Sequence, residues 1–246
     1  MKSTLVLKLL APVLAVLLWW WGTAVGGADN PILANMGPVP AVNSLIGFAQ
    51  SGLLAGTIGV SLYRLGLGLL IAAVLGIGIG LLVGSLRWFE AASSALVQFL
   101  RMVSPLAWAP IAVVLFGIGS PPVVFLVAIA AVWPIALATA SGVKALDPEW
   151  LTLSKSLGAS RWETVTSVVV PGIRGNVATG LRLALGVAWI VLVPAEMLGV
   201  DSGLGYQILN ARDQISYDLL AGIMLLIGLI GYAMDWLVQK VFSRWL

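Results

Sequence analysis

The chain has 246 residues, of which 60% are hydrophobic and only 9% charged, with a formal net charge of +3 and a mean hydropathy of +1.05. A soluble domain carries about 25% charged residues, so this chain cannot keep its surface wet and its solvent is lipid. The absence of Cys and His excludes disulfides, thiolate metal sites and imidazole proton shuttles, and no basic stripe interleaved with aromatics marks a nucleic-acid surface.

A helix needs about 20 largely apolar residues to cross the hydrocarbon core, and six segments meet that length. The expected fold is all-α and polytopic, with about six transmembrane helices in a single transmembrane domain over 1–246. An N-terminal span and outer loop occupy 1–56, and a core follows over 57–246. The first span, Leu5 to Val25, follows Lys2 and Lys8 as a signal peptide would. Its apolar run is longer than an h-region, however, and Trp19-Trp20-Trp21 suit an interfacial anchor, so it reads as a retained helix. Residues 26–50 contain Pro31, Pro38 and Pro40 and read as irregular, with a short interfacial helix expected near Ser44 to Leu54.

The second span runs from Leu62 to Val83. Gly76, Gly80 and Gly84 form a small-xxx-small face that serves either packing within one subunit or a dimer contact. The third, Val97 to Ile118, carries Arg101, Ser104, Pro105 and Pro110. Such interruptions are tolerated where neighbours or a cavity satisfy the freed backbone groups, so this span is expected to face the protein interior. The fourth runs from Val123 to Ser141.

Residues 144–176 then form a polar island with seven charged residues in 33 positions. Asp147 and Pro148 read as an N-cap and first helical residue, and Glu149 to Leu157 is helix-compatible. Gly158 permits a turn. Ser160 and Glu163 form a capping box for a second helix, which Pro171-Gly172 is expected to end. Leu151, Leu153, Leu157 and Trp162 are its apolar contacts. The hairpin is either a knob for the groove of a cytoplasmic partner or an amphipathic element lying on the membrane. The fifth span, Val177 to Leu198, and the sixth, Leu219 to Val238, complete the chain.

Lys and Arg set the orientation. With the N-terminus in the cytoplasm, Lys2, Lys8, Arg87, Lys144, Lys155, Arg161, Arg174, Lys240 and Arg244 all lie inside. The loop from Gly26 to Ser61 then lies outside with no Lys or Arg, as does the loop from Gly199 to Asp218 with Asp201, Asp213 and Asp218 against Arg212. Both termini and the island are therefore expected in the cytoplasm.

Gly158-Ala159, followed by Val168, Val170 and Pro171, resembles the E-A-A-x3-G-x9-I-x-L-P signature of ABC importer permeases, with Thr152-Leu153-Ser154 in place of E-A-A. Further segments resemble the nitrate/sulfonate/taurine/bicarbonate branch: Phe99 to Pro110, Gly180 to Gly186, and Ala195-Glu196-Met197-Leu198 with Gly203-Leu204-Gly205. The resemblance covers about residues 57–240. It implies the transmembrane subunit of a type I ABC importer in a bacterial inner membrane. Two permease copies, or this chain and a close paralogue, would form the pore. Two cytoplasmic ATPases would bind ATP and Mg, and an extracytoplasmic binding protein would deliver the solute. The island becomes the coupling segment, so that Ser154, Lys155, Leu157, Gly158, Ala159, Ser160, Arg161 and Pro171 are assigned to the ATPase contact. No G-x-x-x-x-G-K-[ST] sequence occurs in the chain, which leaves ATP to other subunits; no cofactor is expected in this chain.

Ionisable groups in spans are functional candidates by default. Arg101 and Arg182 lie in the inner parts of the third and fifth spans, where they either line the substrate pathway or snorkel or pair structurally. In a homodimer they would place four positive charges near the path, which favours a small anion. Glu196, near the outer end of the fifth span, either gates the outer mouth or pairs with Arg64. Trp108 and Trp133 either wall the cavity or pack, and Asp235 reads as structural. A secondary transporter or channel is the competing class, but no inverted repeat supports it. An intramembrane enzyme would need G-x-S-x-G, a metal cluster or paired carboxylates, none of which the sequence offers.

Overall fold

The computed structural model describes residues 2–242, with side chains from residue 10 to residue 241; Arg244, expected inside, lies outside the described residues. All regular structure among them is helical. Two compact units emerge, one formed by residues 1–61 and 201–230 and the other by 62–200 and 231–246.

In the first unit, α1 covers Lys2–Gly26, α2 Pro31–Asn35 and α3 Pro38–Gln50. The segment expected to be irregular is therefore mostly helical, and its prolines are the reason. Pro31 and Pro38 each open a helix, where a missing N–H is no loss. Asn30 caps α2 by accepting from the Ile32 N–H at 3.0 Å. The interfacial helix thus starts at Pro38 rather than near Ser44, and it ends at Ser51 before Gly52, whose φ of +76° breaks the chain direction. The indole N–H of Trp19 donates to the Met36 carbonyl at 3.0 Å and so pins α1 to the α2–α3 turn. The outer loop of 199–218 contains α11, Leu204–Asp213, whose first N–H donates to Ser61 Oγ at 2.9 Å.

Helix α4, Leu53–Ser85, starts nine residues before the expected span and contributes its remainder to the second unit. There α7, Ser120–Lys144, is the pillar. Ala112, Val123, Leu126, Val127, Ala131 and Ile135 are among the core residues around it. The glycine face of α4 packs onto α7 within the chain. A Cβ on Gly76 would stand 2.8 Å from Ile135 Cβ, one on Gly80 2.5 Å from the Ala136 carbonyl, and one on Gly84 2.6 Å from Val143 Cβ. On another side of α7, a Cβ on Gly180 would stand 2.8 Å from Ala138 Cβ. These approaches leave room for no side chain at all.

The third span is not continuous. Helix α5, Arg87–Met102, gives way at Val103–Ser104 to a 3-10 turn, Pro105–Trp108, and then α6, Ala109–Phe116. The two halves are bent by 90°. Pro105 drives Ser104 out of the helical region, to φ −56° and ψ 130°. Among the described residues four helices are long and apolar enough to cross a membrane, and five if the bent pair counts as one. The described apolar part of α1 is Leu10–Gly26.

The polar island folds as α8, Pro148–Ser156, followed by α9, Arg161–Thr164, a π turn at Val165–Val169, and α10, Val170–Glu196. Pro171-Gly172 does not end the second helix. The π turn, in which the Val170 N–H donates to the Val165 carbonyl, widens the helix just where Pro171 can supply no donor. The result is one rod from Arg161 to Glu196, 36 residues long. Helix α12, Tyr217–Phe242, ends the described chain.

At the far end of that rod, Glu196 Oε1 accepts from Arg64 Nη1 of α4 at 2.9 Å, with both side chains buried. The Arg64 Nε–H donates to Ser120 Oγ, at the start of α7, at 3.0 Å. One guanidinium therefore ties three helices.

Two outcomes follow for thermal unfolding of the purified chain in detergent. Gly76→Leu should cost about 1–3 kcal/mol by overpacking, whereas Gly78→Leu, with nothing within 4 Å, should be near neutral. Glu196→Met or Arg64→Met alone should cost about 3–5 kcal/mol by orphaning a buried charge, with the double variant recovering most of it. Equal stability of the singles and the double would refute that account of the pair.

Candidate functional site

The hairpin is built by local chemistry. Asp147 accepts from the Glu149 N–H at 2.9 Å and caps α8. At the other end, Gly158 adopts φ +74°, the Gly158 N–H donates to the Lys155 carbonyl at 3.0 Å, and the Ala159 N–H donates to the Ser154 carbonyl at 3.1 Å. This is a Schellman ending, and its left-handed position favours glycine. The next helix starts two residues later. Ser160 Oγ accepts from the Glu163 N–H at 3.2 Å, while the Ser160 N–H donates to Glu163 Oε2 at 2.7 Å. Caps on both sides of Gly158 leave no slack in the turn.

A hydroxyl pair joins the two arms. Thr164 Oγ1 donates to the Ser160 carbonyl at 3.0 Å, so it takes its 2.8 Å contact with Ser154 Oγ as acceptor. Ser154 is buried. It stands where the second alanine of E-A-A would be, and a small residue is what that packed position needs. Thr164 was not singled out in the sequence, and only its spacing from the Ser160 cap hinted at it.

What the hairpin shows outward is apolar and basic. Trp150, Leu153, Leu157 and Trp162 are exposed, Leu157 at 78% and Trp162 at 75%. Lys155 and Arg161 are exposed beside them, and Ala159 is half-buried. Pro171 is set apart from this cluster, exposed in the first turn of α10.

The second feature is a cavity of about 490 Å³ at the bend between α5 and the 3-10 turn. Arg101, Trp108 and Trp133 all line it, together with Leu137 of α7 and Leu183 and Val187 of α10. Arg182 and Glu196 do not line this cavity. The Arg182 Nε–H donates to Asp235 Oδ1 of α12 at 3.3 Å, and Gln239 Nε2 donates to Asp235 Oδ2 at 2.6 Å. Gln239 went unnoticed in the sequence, although its i+4 spacing from Asp235 placed it on the same helix face. Arg101 has no acidic partner among the described residues. One guanidinium is thus offset by a carboxylate, and the other keeps its full charge at the cavity.

No group of three or more Asp and Glu that could hold a metal ion is found among the described residues.

Comparison with known proteins agrees with this architecture. Residues 72–245 match the family model described as binding-protein-dependent transport system inner membrane component. The chain is 38% identical over 190 residues to the bicarbonate transport system permease protein of Synechococcus elongatus, covering 76% of this chain and 67% of the relative. It is 35% identical over 188 residues to the nitrate import permease protein of Leptolyngbya laminosa, with coverage of 76% and 67%. Among solved structures, inward-facing MetNI methionine ABC transporter superposes with a TM-score of 0.67 at 17% identity, covering 78% of this chain and 95% of that one. A bacterial alginate ABC transporter, in complex with an alginate-bound periplasmic protein, gives a TM-score of 0.67 at 15% identity over 99% and 95%. The chain has the type I ABC importer permease fold and belongs to the family of binding-protein-dependent transport system inner membrane components.

Proposed function

We propose that this permease subunit carries a small anion, of the nitrate, bicarbonate, sulfonate or taurine class, along an alternating-access pathway formed by two copies of the chain. Its termini and hairpin lie in the cytoplasm. The hairpin seats in clefts of two partner ATPases that bind ATP and Mg, and this chain holds no cofactor of its own. A periplasmic or lipid-anchored binding protein delivers the solute to the outer side.

The observation that carries the coupling role is the hairpin itself. Four exposed apolar side chains beside Lys155 and Arg161 sit on a turn locked by caps on both sides. An apolar knob with a basic rim, held rigid, fits a groove in a soluble partner better than it fits water. It is also the lower end of the unbroken rod that reaches Glu196, so displacement of the turn is passed along a helix rather than lost in a loop. The anion class is supported by Arg101, uncompensated at the cavity, and by the bicarbonate and nitrate names of the relatives. With Arg182 held by Asp235, a homodimer brings two uncompensated charges to the path instead of four.

Gly158→Arg should abolish coupling. The substitution forces a side chain into a left-handed position at a cost of about 1–2 kcal/mol and sets its bulk on the contact face. Uptake and binding-protein-stimulated ATPase activity in proteoliposomes should both fall to background, and an unchanged stimulated rate would rule out the hairpin as the coupling element. Arg101→Gln should leave assembly with the ATPases intact and slow anion uptake about tenfold or more, the loss expected when a charge-assisted hydrogen bond of about 1.5–3 kcal/mol is removed. Unimpaired uptake would remove Arg101 from the path.

A further inference from the structure

Helix α5 carries more polar chemistry than the one arginine at its bend. Resting on the reading of Arg101 as a pathway residue, we infer that Gln98, Ser94 and Arg87 continue the solute route from the cavity to the cytoplasm, as a positively charged ladder along one face of α5.

At about 100° per residue, side-chain exposure divides α5 into three arcs. Phe89, Ser93, Val97 and Leu100 are half-buried and turn towards the body of the unit. Trp88, Ala92, Leu96 and Phe99 are exposed and apolar, a face suited to acyl chains. Arg87, Ser94, Gln98 and Arg101 are exposed and polar, and they share an arc about 60° wide. A helix that met only lipid and protein would need just the first two arcs. Guanidinium and amide groups facing acyl chains are costly, so the third arc belongs to water.

The course of α5 suits a route. At one end Glu90 accepts from Lys144, in the last turn of α7. At the other, Leu100 and Arg101 line the cavity with Trp133 and Leu137 of α7. The polar arc is thus continuous with the cavity, and from Arg101 to Arg87 it spans about 21 Å, more than half of a hydrocarbon core about 30 Å thick. With Lys144 on the cytoplasmic side, it leads inward.

The chemistry of the rungs suits an anion. Glu90, the one carboxylate of α5, is taken by Lys144, whereas Arg87 and Arg101 have no acidic partner among the described residues. Gln98 makes no hydrogen bond among them either, which leaves its amide N–H groups as donors. The Ser94 hydroxyl donates to the Ala91 carbonyl at 3.2 Å, a bond within its own turn that it can exchange for a passing oxygen. Neutral donors between two cations let an anion advance by several weak sites without a trap, as conduction requires.

The chain holds no Cys, so a single introduced thiol reports on its own position. In inverted membrane vesicles carrying the full-length chain with its partner subunits, Ser94→Cys and Gln98→Cys should be labelled by membrane-impermeant methanethiosulfonates, read as a mass shift of this chain. Ala92→Cys, on the apolar arc, should not be labelled. Normalised to a free thiol in solution, the anionic sulfonatoethyl reagent should react about tenfold or more faster than the cationic trimethylammonium reagent at both polar positions. Uptake supplies the functional readout. Gln98→Glu should lower anion uptake about tenfold or more relative to Gln98→Lys, a difference in charge sign that a structural amide would not produce. Equal labelling of all three positions, no labelling at Ser94→Cys and Gln98→Cys, equal normalised rates for the two reagents, or equal uptake by the two Gln98 variants would each overturn the inference. If Arg101→Gln still loses uptake in that case, the pathway reading of Arg101 survives without the ladder. Unimpaired uptake in Arg101→Gln with the labelling pattern intact removes Arg101 alone and leaves the lower rungs as the route.

Discussion

Lipid tails are as apolar as leucine, so burying apolar side chains does not by itself pull two membrane helices together. What holds them is close backbone approach and the few polar bonds made across the interface. In this chain both converge on α7. Gly76, Gly80 and Gly84 let α4 lie against Ile135, Ala136 and Val143, and Gly180 does the same for α10 at Ala138. Every feature with a functional reading hangs from that packing. The cavity wall takes Trp133 and Leu137 from α7, and the charged clamp takes Ser120 from its first turn. Because α7 has its neighbours at backbone distance, it cannot move without them.

The bent pair α5–α6 and the hairpin before α10 are held less closely. Among the described residues α5 buries no side chain, and it is separated from α6 by two residues in extended conformation and the 3-10 turn Pro105–Trp108. The hairpin meets the body of α10 through a π turn, a feature frequent at functional sites. Above that turn α10 runs unbroken to Glu196 and its buried bond to Arg64.

Local chemistry was legible in the sequence, and the same residues show why the remainder was not. Asp147-Pro148, Gly158 and the Ser160–Glu163 box each fix a backbone bond within a few residues, and each stands where its own chemistry places it. The prolines misled because their effect depends on whether the N–H they lack was needed. Pro31 and Pro38 open helices in a stretch expected to be irregular, and Pro171 sits inside a helix it was expected to end, because the π turn precedes it. Pro105 alone acts as a breaker, and it turns an expected straight span through 90°. The glycine face left two outcomes open in the sequence, packing within the subunit or a dimer contact. Only the positions of Ile135, Ala136 and Val143 decide for the first.

The charges show the same limit from another side. Arg101 and Arg182 are alike in the sequence, each an arginine in the inner part of a span. Their difference lies 53 residues further along the chain, where Asp235 meets Arg182 and Gln239 holds the second carboxylate oxygen. Both partners of that ion pair are about half exposed, so the pair contributes little to stability. Its effect is on the field. An arginine matched by a carboxylate a few ångströms away presents a dipole to its surroundings, and a dipole's influence falls off faster with distance than a charge's. Arg101 is left as the one uncompensated guanidinium at the cavity, in a wall otherwise without charge.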